Sequence, residues 1–74
     1  MSDYAKALEA YLRTGKQADL AAAVNVTQAA ISRYAGAKRF PTRKVAEDID
    51  RATKGQVPFA LWVADATKRF GIAA

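Results

Sequence analysis

No segment of this chain alternates apolar and polar residues for long enough to make a half-buried strand. Four glycines and two prolines divide it into five pieces, and within each piece the apolar residues recur three and four positions apart. The pattern predicts an all-α, five-helix fold. Alanine occupies 18 of the 74 positions, which favours helices and lets them pack closely. A chain of this length provides one small domain, residues 1–74, and buries only about 60% of its unfolded surface.

Each piece carries its own start and stop signals. Ser2 is placed to cap a first helix in which Tyr4, Leu8, Tyr11 and Leu12 share a face, with Gly15 ending it. The second piece, Gln17 to Ala23, turns Leu20, Ala21 and Val24 inward and breaks at Asn25 and Val26. Thr27 then caps a third helix running to about Ala35, with Ile31 and Tyr34 inward and Gly36 as its stop. Lys38 to Pro41 form a basic loop in which Phe40 is held extended by the proline after it. Thr42 caps a fourth helix with Val45, Ile49 and Ala52 on one face, closed by Gly55. On its outer face Glu47 with Arg51, and Asp50 with Lys54, are spaced as i,i+4 pairs. Pro58 sits at the first position of a fifth helix, about 58–70, with Phe59, Trp62, Val63, Ala66 and Phe70 as one stripe before Gly71.

Residue types exclude much chemistry. The chain has no cysteine and no histidine, so disulfides, thiolate or imidazole metal sites and Ser-His or Cys-His nucleophilic pairs are unavailable. Asp48 with either Asp50 or Glu47 could be imagined as a carboxylate pair, but their helix also carries basic i,i+4 neighbours. No catalysis, cofactor, metal or small-molecule substrate is expected. Nor does any stretch approach the ~18 apolar residues of a membrane span, and no secretory signal opens the chain, so a cytoplasmic protein is expected. The net charge of +5 and the pI near 9.9 suit a partner that is a polyanion; solubility alone would explain them equally well.

Two short helices joined by about three residues, the second opening on a capping Thr and a Gln, form the arrangement that lays one helix across the DNA backbone and the other in the major groove. The motif spans about residues 17–36. Ala21 allows the close crossing, and Asn25 is the non-glycine residue best suited to a left-handed turn. The stretch KQADLAAAVNVTQAAISRYAGAKRFPTRKVAEDIDRATKG, residues 16–55, resembles the helix-turn-helix domains of the Cro and repressor family of temperate bacteriophages. It departs from them at Asn25, where a glycine is usual, and at Tyr34, where a tryptophan is common. The resemblance implies a lambda-repressor-like fold, although some Cro-like proteins finish with a β-hairpin. Pro58 and the stripe to Phe70 argue for a helical ending here.

With Ile31 and Tyr34 inward, the third helix presents Gln28, Ala29, Ser32 and Arg33 outward, and the resemblance implies the same four as base-contacting residues. Gln suits adenine, Arg suits guanine, Ser suits either, and the Ala29 methyl suits the methyl of thymine. An ordinary solvated helix face is the plainer alternative. Gln17, Thr27, Lys38, Arg39, Arg43 and Lys44 are the expected phosphate contacts. Residues 36–54 carry six Lys or Arg against three acids, whereas residues 1–35 carry four against three. Arg43 and Lys44 stand in the first turn of a helix, where its dipole disfavours cations unless an anion binds. Leu61, expected on the exposed side of the fifth helix, together with Trp62, is assigned to a weak homodimer interface, since a two-fold operator needs two recognition helices about one DNA turn apart. These readings combine into a repressor-type transcription regulator on double-stranded operator DNA. The alternative is a helix-turn-helix interaction module that binds a partner protein, as an antitoxin does.

Overall fold

The computed structural model describes residues 3–71, and the expected cap at Ser2 lies outside them. Five helices follow in order: α1 (Asp3–Leu12), α2 (Gln17–Ala23), α3 (Gln28–Ala35), α4 (Arg43–Ala52) and α5 (Phe59–Phe70). The fold is all-α, with no strand among the described residues. Its core joins Tyr4 and Leu8 of α1, Leu20 of α2, Ile31 of α3, Ile49 of α4 and Val57 of the last loop, each essentially inaccessible to solvent. The radius of gyration is 11.1 Å, the value expected for about 70 residues in a single body.

Local chemistry explains most helix boundaries. Thr27 and Thr42 lie in extended backbone, and their hydroxyls accept the N–H groups of Ala30 (3.0 Å) and Val45 (3.3 Å). Asn25 is left-handed, with φ of 57°, as the turn between α2 and α3 requires. Pro58 is corrected from the first helical residue to the N-cap of α5, and it has no side chain able to cap. Asp50 of α4 does this instead: its carboxylate accepts the Phe59 N–H at 2.8 Å. Asp50 therefore makes no pair with Lys54, and Glu47 pairs with Arg43 rather than Arg51. Another carboxylate, the buried Asp65 of α5, accepts the Tyr4 N–H at the start of α1. Burial pushes the Tyr4 hydroxyl well above its ordinary range, with the charges of Tyr34 and Asp50 adding to the effect.

Helix α3 ends at Ala35 with Gly36 as its C-cap, where the sequence places the stop, but the glycine is not the left-handed residue. Gly36 has φ of −83°, and the left-handed residue is Ala37, with φ of 59°. The Ala37 N–H donates to Tyr34 O (3.2 Å) and the Lys38 N–H to Arg33 O (2.9 Å), satisfying carbonyls that the helix end would otherwise orphan. A non-glycine residue in this conformation costs about 1–2 kcal/mol, and a new glycine adds unfolded-chain entropy of about 0.4–1 kcal/mol. Ala37→Gly is thus expected to stabilise the domain by about 0.5–1 kcal/mol, raising Tm by about 2–8 °C. A thermal melt showing a lower Tm would contradict this account of the turn.

The apolar stripe of α5 is only partly buried. Ala66 lies in the core and Phe59, Trp62 and Val63 are half-buried, but Phe70, expected in the stripe, is 58% exposed. Leu61 is corrected in the opposite sense. It is half-buried and packs on the chain's own core, as does Trp62. A charge at Leu61 would therefore disturb folding before it reported on association, and Phe70 is the large apolar side chain that α5 leaves exposed.

Candidate nucleic-acid interface

Helix α3 is divided lengthwise. Ala30, Ile31, Tyr34 and Ala35 face the core, while Gln28, Ala29, Ser32 and Arg33 are all exposed on the other side. The four residues assigned to base reading thus share one open face, backed by α2 and α1. None of the four has a side-chain hydrogen bond or ion pair within the described residues, so their donors and acceptors are free for a ligand.

The neighbouring contacts set the position of that face. Gln17 Nε2 donates to the Gln28 carbonyl at 3.0 Å, tying the start of α2 to the start of α3. Its amide is thereby held at the edge of the exposed face of α3 with one N–H and its oxygen still free. The Thr27 hydroxyl accepts from Ala30, which leaves its own proton to donate outward.

The cations fall into two sets. Lys38 and Arg39, in the loop after α3, are exposed and have no acidic partner among the described residues. Arg43 and Lys44 are exposed too, but they are compensated. Arg43 lies 3.8 Å from Glu47 and over the Phe59 ring, and Lys44 lies 3.4 Å from Asp48. Asp48 also binds Arg51. Desolvation pushes the Asp48 carboxyl up, but its hydrogen bonds to Arg51 and Lys44 outweigh this and hold it below the usual range. The expectation that Arg43 and Lys44 stand unbalanced against the α4 dipole is therefore corrected: acids one turn on offset them. Such exposed pairs are worth at most about 1 kcal/mol, so breaking them costs little.

An aromatic ladder fixes the basic loop and was not legible in the sequence. Phe40 stacks on Trp62 with centroids 5.4 Å apart, and Trp62 stacks on Phe59 at 5.3 Å. Trp62 Nε1 donates to the carbonyl of the buried Pro41 at 2.9 Å. The Arg69 guanidinium sits 4.7 Å from the centre of the Phe40 ring. The signal was present only as an aromatic residue before proline and a tryptophan 21 positions later, a separation that no local rule connects.

Among the described residues no cluster of three acidic, Cys or His side chains could hold a metal, and no helix is long and apolar enough to cross a membrane. No family model, curated protein or solved structure matches the chain.

Proposed function

We propose that the protein is a sequence-specific DNA-binding regulator of the Cro and repressor type. It binds a pseudo-palindromic operator as a weak homodimer, acts without catalysis or cofactor, and works in the cytoplasm on the nucleoid of a bacterial host. The observation that carries this reading is the exposed, unpaired face of Gln28, Ala29, Ser32 and Arg33, on a helix whose other side is locked into the core. A protein interface would favour aromatic or aliphatic anchors at those positions. Lys38 and Arg39, with Gln17, Thr27, Arg43 and Lys44 around the same helix, supply the backbone contacts that set register and most of the affinity.

Selection of duplexes from a random pool tests the reading. A two-fold motif with half-sites about one turn apart, bound at least ~1000-fold more tightly than scrambled DNA, is the expected result. Lys38→Ala is expected to weaken operator and scrambled DNA alike and to reduce the slope of log K against log salt by about 0.9 for each subunit bound. An effect confined to the operator would move Lys38 from the phosphates to the bases.

A groove of about 710 Å³ between the end of α2 and α4 favours the second reading, a protein-interaction module. Val24, Val26, Val45 and Ala52 line it, with Lys44 and Arg51 among its polar residues. Selection that enriches no duplex, with residual binding that vanishes as salt rises, would transfer the function to this groove.

A further inference from the structure

Arg69 stands in the last turn of α5, some 30 positions beyond the basic loop, yet the fold returns it there. Its guanidinium lies over the ring of Phe40, the residue that follows Arg39, at 4.7 Å from the centroid, and 5.9 Å from the ring of Phe70. Phe40 in turn meets Phe70 edge-on at 5.8 Å. Arg69 is exposed and has no acidic partner among the described residues. A guanidinium held over an aromatic ring by cation–π attraction has no acceptor there for its five N–H groups, and its fork can match two phosphate oxygens at once. That contact also restricts side-chain freedom before any ligand arrives, so less entropy is lost on binding.

From this we infer that Arg69 is a further phosphate-binding residue, held by Phe40 beside Lys38 and Arg39 so that α5 extends the backbone-contacting surface beyond the helix-turn-helix. The inference rests on the DNA-binding reading. Lys68, one position earlier, provides the comparison: it is exposed and equally charged, and it makes no contact with the loop aromatics. A cation in the last turn also complements the helix dipole, but that role changes folding stability and leaves the number of counterions released on binding untouched.

The experiment compares the full chain with Arg69→Gln and Lys68→Gln, each shown folded by circular dichroism. Affinity for a selected operator and for scrambled duplex is followed between about 50 and 200 mM salt. Arg69→Gln is expected to lower the slope by about 0.9 per subunit on both duplexes, whereas Lys68→Gln keeps the parent slope. A parent slope in Arg69→Gln, or an equal reduction in Lys68→Gln, would overturn the assignment while leaving the operator reading intact. Because a phosphate contact is independent of sequence, the scrambled duplex still tests Arg69 if no operator is found. Absence of any salt-dependent DNA binding by the parent would remove both.

Discussion

Trp62→Ala is expected to cost about 3 kcal/mol of folding stability, the lower end of the range for truncating a large aromatic residue, because Trp62 is only half-buried. A domain of 74 residues has about 4–11 kcal/mol to lose, so the variant stands near the edge of folding at 37 °C. The side chain carries three connections at once. It stacks between Phe40 and Phe59, and its Nε1 satisfies the buried Pro41 carbonyl. Trp62→Phe separates them: the rings can still stack, while the carbonyl loses its donor, at a cost of about 1–3 kcal/mol. Urea unfolding followed by far-ultraviolet circular dichroism measures both without depending on the lost fluorophore. A loss below about 1 kcal/mol for Trp62→Ala would mean that the ladder only decorates a loop held by other contacts.

What could be read from the sequence was whatever a residue decides within its own turn of helix. The hydroxyls of Thr27 and Thr42 and the left-handed Asn25 act on backbone groups three residues away or fewer, and all three stand where the sequence places them. The inward positions Leu20, Ile31, Tyr34 and Ile49 follow from periodicity and are buried, so the outward face of α3 followed as well. Errors begin where a group has a choice of partners. Glu47 is one turn from both Arg43 and Arg51, and spacing alone does not choose between them. Asp50 had a local cation available, but the N-terminus of α5, begun by a proline with nothing to cap it, offered an N–H in need of an acceptor. Similarly, the periodic stripe of α5 names Phe70 as readily as Ala66, yet the helix buries Asp65 and Ala66 against its neighbours and leaves Phe70 exposed. A hydrophobic period shows which side of a helix faces inward, but it does not show how far along the helix its neighbours reach.

Arg33→Ala is expected to produce the largest change in binding, and to do so almost without touching the fold. Its side chain is exposed and has no hydrogen bond or ion pair among the described residues. The carbonyl that accepts Lys38 N–H belongs to its backbone and survives the substitution. Stability should therefore stay within about 0.5 kcal/mol of the parent. On the operator, a bidentate arginine–guanine contact discriminates by about 1–3 kcal/mol, and a two-fold site presents it twice, so the loss approaches ~2–6 kcal/mol for the dimer. On scrambled DNA there is no such contact to lose, and affinity should change little. Repeating the duplex selection with the variant locates the effect: one base-pair preference in each half-site should disappear while the others persist. Equal weakening on operator and scrambled duplex would instead place Arg33 on the phosphates beside Lys38, and sequence reading would then fall to Gln28, Ala29 and Ser32 alone.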